Sequence, residues 1–165
     1  MNIRPAAHAD AATIADFNLR MALETEQRRL DPATVCAGVT ALLNDPAKGI
    51  YYVAEQPVEG LLKLAGQLLI TYEWSDWRNA WFWWIQSVYI RPEVRGQRIY
   101  AQLYDFVKAK AAESGNVCGF RLYVENDNSR AQRVYERVGM EASHYLMYEE
   151  ELSEPPALAG GQLDD

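Results

Sequence analysis

WFWWIQSVYIRPEVRGQRIYAQL, residues 81–103, changes its periodicity half-way along. It opens as an aromatic and β-branched run, a composition that favours a strand. Pro92 stops the ladder, because proline has no backbone N–H. Arg95 and Gly96 then make a turn. From Ile99 the apolar residues recur at helical spacing, through Leu103, Phe106 and Val107. A strand therefore feeds a helix through an Arg-Gly loop. The start of a helix offers unpaired N–H groups and the positive end of its dipole, a setting that suits phosphate.

Working outward, the spacing predicts alternating strands and helices. Residues 2–4 read as a short strand, and Asp10 as the cap of a helix with Ile14, Phe17, Met21 and Leu23 on one face. Asp31-Pro32 reads as the start of a second helix, which Asn44-Asp45-Pro46 ends. Residues 49–55 and 64–72 read as strands joined by a turn at Gln56-Pro57 and Glu59-Gly60, and residues 73–79 as a polar-aromatic loop. After the helix at about 98–113 come a strand at 118–124, a helix at 128–138 capped by Gly139, and a last strand at 141–148. The predicted order is βααβββαβαβ, an α/β layered domain spanning residues 1–150. Residues 151–165, rich in Pro, Gly, Ala and acid, read as a mobile tail.

The helix at 128–138 divides by charge. Ala131, Val134, Tyr135 and Val138 fall on one side, and Arg130, Arg133 and Arg137 on the other. The arginines read as a solvated face. Asn128 and Tyr135 are two turns apart, so they point nearly the same way, at the edge of the apolar side. An apolar ring with a polar tip suits the wall of a cleft there.

Composition narrows the function classes. With 165 residues of which 49% are hydrophobic, the chain has enough apolar side chains for one packed core. Its net charge of -7 argues against nucleic acid as a partner. Cys36 and Cys118 are the only cysteines, and no CxxC or Cys/His cluster suggests a metal. His8 and His144 stand alone and read as ordinary surface or core residues. The N-terminus has no signal-peptide pattern and no run is long enough to span a membrane, which points to a cytoplasmic protein.

Two stretches resemble the GNAT superfamily of acyl-CoA-dependent N-acyltransferases. Ser87-Val88-Tyr89-Ile90-Arg91-Pro92-Glu93-Val94-Arg95-Gly96-Gln97-Arg98-Ile99-Tyr100 is similar to its central strand and phosphate loop. Leu122-Tyr123-Val124-Glu125-Asn126-Asp127-Asn128-Ser129-Arg130-Ala131, continuing through Tyr135 to Gly139-Met140, is similar to its later strand and helix. The likeness covers roughly the second half of the chain, and the element order fits the whole. It implies a mixed, mainly antiparallel central sheet whose central strands splay apart, flanked by helices. It implies acetyl-CoA as co-substrate and no metal. Val88, Tyr89 and Ile90 would bind pantetheine and polarise the thioester carbonyl. The loop of Arg95, Gly96, Gln97, Arg98, Ile99 and Tyr100 would hold the pyrophosphate, and Asn128 would touch the cofactor. Tyr135 would border the cofactor and protonate the departing thiolate.

The chain departs from the family in two places. Arg98 stands at a usual glycine and Tyr100 at a usual glycine or alanine. Backbone N–H groups survive either change, and Arg98 adds a charge that a phosphate would favour. Gln86 and Ser87 occupy the stretch where many relatives carry a carboxylate base, and neither is an effective base. The first helix borders the acceptor site in relatives, so Glu24 and Glu26 are the candidates for proton removal and acceptor binding. Glu73, Trp74 and Asp76 are further acceptor-site candidates, because tryptophans in a charged loop suit stacking on a substrate or a partner subunit; a local cluster with Trp81, Trp83 and Trp84 is the equal alternative.

Two functions follow from the resemblance. One is acetyl transfer from acetyl-CoA to a primary amine of a small or amino-acid-like molecule. The other is a non-catalytic acyl-CoA sensor or interaction module, which the missing strand carboxylate favours. The exposed aromatics and the fold point to a homodimer.

Overall fold

A computed structural model describes residues 1–58 and 60–150; the tail at 151–165 and Glu59 lie outside the described residues. The elements are β1 (Asn2–Pro5), α1 (Ala11–Glu26), α2 (Pro32–Leu43), β2 (Ile50–Val58), β3 (Leu61–Ser75), β4 (Ala80–Ile90), α3 (Ile99–Ser114), β5 (Val117–Leu122) and α4 (Ser129–Arg137). The five strands form one sheet in the order β1-β2-β3-β4-β5. Neighbours are antiparallel except β4 and β5, which run parallel. A parallel pair needs a crossover, and α3 supplies it. The architecture is the mixed, mainly antiparallel α/β sheet that the family resemblance implies.

Alternation along the strands sorts the core onto both faces. Leu68 and Ile70 of β3 pack with Leu103 and Val107 of α3, and Val134 and Tyr135 of α4 join this cluster. Leu69, one residue out of step, faces Ile14 of α1 and Val39 of α2 with Tyr51 and Val53. Full burial of a Leu, Ile or Val contributes about 1.5–3 kcal/mol each. Asp31 caps α2 as predicted, accepting from Thr34 N–H at 2.8 Å, with Pro32 in the first turn.

Several local expectations are corrected. Residues 141–150 form no strand, and Tyr145, Leu146, Met147 and Tyr148 are exposed. The only apolar run in this stretch is Tyr145–Tyr148, four residues without alternation and flanked by His144 and Glu149, so it presents no single face for a sheet to bury, and a strand exists only where a partner completes its ladder. Among the described residues β5 is therefore an outer strand of the sheet. Asp10 makes no cap bond to α1; a 3-10 turn, His8–Asp10, precedes the helix, and the Asp10 carboxylate accepts from Ala7 N–H at 2.7 Å. Gln56 and Pro57 belong to β2, paired with Lys63 and Leu62. Pro57 is tolerated because the pairing with β1 ends at Glu55, leaving one side of β2 without a ladder. Glu73, Trp74 and Ser75 belong to β3.

Arg4 joins β1, β2 and the start of α1. Its guanidinium donates to Asp10 at 2.7 Å and to Glu55 at 2.6 Å. Arg4 holds both carboxyls below their ordinary range. A carboxyl depressed in the fold stabilises it above the unfolded-state value, about 3.9 for Asp and 4.3 for Glu, and loses that contribution as pH falls through the folded value. Acid titration followed by circular dichroism is expected to show stability falling below about pH 4 in the wild type, and less steeply in Asp10→Asn.

Candidate active site

The pairing of β4 with β5 begins at Trp81↔Val117 and ends at Ile85↔Leu122. β4 runs on to Ile90. Five residues, Gln86 to Ile90, thus have no partner on the β5 side among the described residues, in the stretch where the family resemblance implies that the central strands part. Their other side stays paired to β3, but irregularly. Leu69 faces Gln86 while Gln67 faces Tyr89, so Leu68 lies opposite both Ser87 and Val88. This is a β-bulge, which re-aims the backbone locally. Ser87 sits at φ 48°, a left-handed conformation that costs a non-glycine residue roughly 1–2 kcal/mol.

A buried polar chain braces the bulge. Gln67, fully buried, donates through Nε2 to the Ser87 carbonyl at 3.3 Å and to Asn18 Oδ1 at 2.7 Å. Asn18 Nδ2 donates to the Tyr51 hydroxyl at 2.9 Å. Gln67 Oε1 has no partner. The sequence reading missed all three residues. The signal was there: one glutamine inside the apolar run Leu64-Ala65-Gly66-Gln67-Leu68-Leu69-Ile70. Beside it, Gly66 lets β4 approach, since a Cβ there would lie 2.8 Å from the Tyr89 carbonyl oxygen.

The loop after β4 presents free donors. The N–H groups of Gly96, Gln97, Arg98, Ile99 and Tyr100 have no protein acceptor among the described residues. φ alternates in sign through the loop, from Arg95 at −64° to Gly96 at 87° and Arg98 at 59°. Such alternation gathers successive N–H groups into an anion-binding concavity, and the first turn of α3 adds its dipole. Arg98 itself takes a left-handed conformation, one that a glycine would adopt without steric cost.

Tyr100 points inward from the first turn of α3. Its ring stacks on Tyr104 and meets Tyr135 edge-on at 5.5 Å between centroids. Its hydroxyl is buried without a partner, and burial pushes its phenol far above the ordinary value. Tyr135 is half-buried on α4, and burial likewise pushes its phenol up. Both therefore keep their protons at neutral pH. Asn128 Oδ1 accepts from Ala131 N–H at 3.0 Å and caps α4. At the other end Gly139 takes φ 90°, with Gly139 N–H bonded to the Glu136 carbonyl and Met140 N–H to the Tyr135 carbonyl. That paired pattern is a Schellman cap, and it fixes the backbone that carries Tyr135.

The carboxylates expected near an acceptor separate into two groups. Glu24 Oε2 accepts from Arg95 at 2.6 Å and Oε1 from the Tyr89 hydroxyl at 3.0 Å. Glu26 is exposed in the same helical turn. Glu73 instead faces β5, bonded to Arg121 at 2.6 Å and to the Trp84 indole. Its cross-strand neighbour is Phe82, seven residues or about 23 Å along β4 from Tyr89. Asp76 accepts from Trp77 N–H in the exposed hairpin turn, and Trp74 packs edge-on against Trp81 at 5.0 Å. A cavity of about 450 Å³ opens beside Tyr89 on the α1 side, walled by Asp16, Phe17, Arg20, Arg91 and Glu93. Its wall mixes both charge signs, so it selects for neither. No group of three His, Cys, Asp or Glu able to hold a metal occurs among the described residues.

The model of the family described as "Acetyltransferase (GNAT) family" matches residues 14–140. The chain is 43% identical to a possible acetyltransferase from Clostridium difficile 630, over 93% of this chain and 98% of that one, with a TM-score of 0.83. It shares its fold with a predicted acetyltransferase from Clostridium acetobutylicum solved with acetyl-CoA, at 15% identity, 90% and 95% coverage and a TM-score of 0.72. It also shares its fold with an aminoglycoside 6'-N-acetyltransferase from Acinetobacter haemolyticus, at 14% identity, 93% and 100% coverage and a TM-score of 0.70. No curated protein matches the chain significantly.

Proposed function

The chain belongs to the acetyltransferase (GNAT) family, and from that premise we propose that it transfers an acetyl group from acetyl-CoA directly to a primary amine of a small or amino-acid-like molecule. Membership implies acyl transfer from acyl-CoA. The observation that carries the reading is a conjunction along one stretch of chain: an unpaired, bulged strand segment at Gln86–Ile90 leads into five free N–H groups at Gly96–Tyr100. Their donors fit a pyrophosphate, and this fit supports a CoA thioester as the ligand.

In the proposed reaction the loop backbone holds the phosphates, and Arg98 adds charge beside them. Unpaired strand groups of Val88, Tyr89 and Ile90 bind pantetheine and polarise the thioester carbonyl, stabilising the oxyanion formed as the amine attacks. Asn128 places the start of α4 against the cofactor. Tyr135 gives its proton to the leaving sulfur. An alkyl ammonium has a pKa near roughly 10, so the acceptor must shed a proton before attack. β4 offers Gln86 and Ser87 rather than an acid, so the acceptor arrives neutral or passes its proton through water.

Activity is then expected to rise with pH through the neutral range, as the neutral amine fraction grows. Glu26 is proposed to draw a cationic acceptor; Glu73, Trp74 and Asp76, expected to share that task, lie too far along the sheet from Tyr89 to touch the same small molecule. Glu26→Ala is expected to raise acceptor KM roughly twofold to fivefold with CoA KM unchanged. Steady-state kinetics on the best acceptor checks both, and an unchanged acceptor KM removes Glu26 from the site.

The deciding experiment measures thiol release from acetyl-CoA across polyamines, aminoglycosides, amino acids and peptides. A second reading, a non-catalytic acyl-CoA sensor, is favoured by one observation, the absence of a carboxylate on β4 beside the bulge. CoA binding without thiol release from any acceptor would select it. No helix among the described residues is long and apolar enough to cross a membrane. A cytoplasmic location and a homodimer belong to the proposal.

A further inference from the structure

Glu24 is an unusual residue for its position. α1 ends with two acids, Glu24 and Glu26, and has no basic residue in its last turn. A negative charge at a helix C-terminus opposes the helix dipole, so the carboxylate needs compensation from elsewhere. It comes from far along the chain. Arg95, 71 residues away, donates Nη2 to Glu24 Oε2 at 2.6 Å. The Tyr89 hydroxyl, 65 residues away, donates to Glu24 Oε1 at 3.0 Å.

Arg95 is held on three sides. Its Nε donates to the Ile90 carbonyl at 2.9 Å, at the end of β4. Its guanidinium lies 5.6 Å from the centre of the Tyr89 ring, and Glu24 takes one terminal nitrogen. Tyr89 is fixed as well, its buried ring set against Phe17 of α1 at 4.9 Å between centroids. Tyr89 belongs to the strand segment read above as the pantetheine site, and Arg95 opens the loop read as the pyrophosphate site. One carboxylate thus uses each of its oxygens on a different half of the CoA site.

We propose that Glu24 is a positioning residue that fixes the phosphate loop against the free strand segment of β4, and so sets the span over which CoA is held. This rests on the CoA-binding reading above. It gives Glu24 a different task from proton removal or acceptor binding. Both of its oxygens are already engaged, and Arg95 holds its carboxyl below the ordinary carboxylate range, which makes it a weak base. Arg20, Arg95 and Tyr89 are the groups that act on it. α1 becomes a brace for the co-substrate, with the acceptor left to Glu26.

The test uses Glu24→Gln, which keeps the side-chain shape and removes the charge, and Tyr89→Phe, which removes one hydrogen bond. Calorimetry with CoA alone is expected to give a Kd raised about threefold to thirtyfold in Glu24→Gln and by less in Tyr89→Phe. Acceptor KM and the shape of the pH–rate profile are expected to match the wild type. Glu24→Gln is expected to cost much less in an Arg95→Gln background than in the wild type, because the Arg95 pairing is already gone and only the Tyr89 bond is left to weaken. Equal CoA affinity in wild type and Glu24→Gln, with melting temperatures showing both folded, overturns the proposal. So does a rise in acceptor KM, or loss of the acidic limb of the pH profile, since those mark an acceptor ligand or a base. A wild type that binds no CoA defeats the CoA reading itself, an outcome distinct from either of these.

Discussion

Tyr135→Phe is expected to lower kcat by roughly tenfold to a thousandfold while CoA binding changes little. The substitution keeps the ring, its edge-on contact with Tyr100 and its place against the core. Only the hydroxyl goes. A thiolate leaving without a proton is a poorer leaving group, so the loss falls on the chemical step. Burial keeps the Tyr135 phenol protonated, which is the state a donor needs. Tyr100 provides the comparison. Its hydroxyl is buried without a partner, so Tyr100→Phe deletes an unsatisfied group and is expected to leave stability unchanged or slightly raised. Pre-steady-state measurement of thiol release, with thermal melts on both variants, separates the two tyrosines. Should Tyr100→Phe lose kcat and Tyr135→Phe keep it, the acid is Tyr100.

Gln97→Pro is expected to weaken CoA binding by about tenfold to a hundredfold. Gln97 is the second of the five free donors and lies between the two positive-φ residues Gly96 and Arg98. Proline removes one N–H aimed at the phosphates, and a hydrogen bond to a charged group is worth about 1.5–3 kcal/mol. No protein acceptor is lost, so the fold has little reason to suffer. Calorimetry with CoA, beside an unchanged circular dichroism spectrum, checks it. Unaltered affinity in the folded variant would remove the loop backbone from the site.

Local chemistry made half of the molecule legible. The end of β4 and the start of α3 were readable because Pro92 and Gly96 change the backbone rules where the period changes. α4 was readable because its arginines and apolar residues separate around the helix, and Gly139 closes it with a positive φ. The last strand was misread because apolar composition says nothing about whether a partner edge is in reach. Glu73 and Trp74 were read as loop because charge and aromatics look the same in a solvent-facing strand.

The site divides along the same line. A phosphate cradle is a backbone property of consecutive residues, so it can be read in order. The Gln67–Asn18–Tyr51 chain and the Glu24–Arg95–Tyr89 cluster join residues dozens of positions apart. No periodicity announces them. One glutamine in an apolar strand and one acid at the wrong end of a helix were their only traces.

The outer edge of β5 has a practical side. Val117–Leu122 carries backbone donors and acceptors with no ladder among the described residues, and Tyr145–Tyr148 is a charge-free apolar stretch open to solvent. Unprotected edges recruit strands from other molecules, and short uncharged apolar stretches are the segments they recruit. As concentration rises, this combination is expected to favour strand addition between molecules, which light scattering across a dilution series checks. The same edge makes solubility depend on a surface that core packing does not protect.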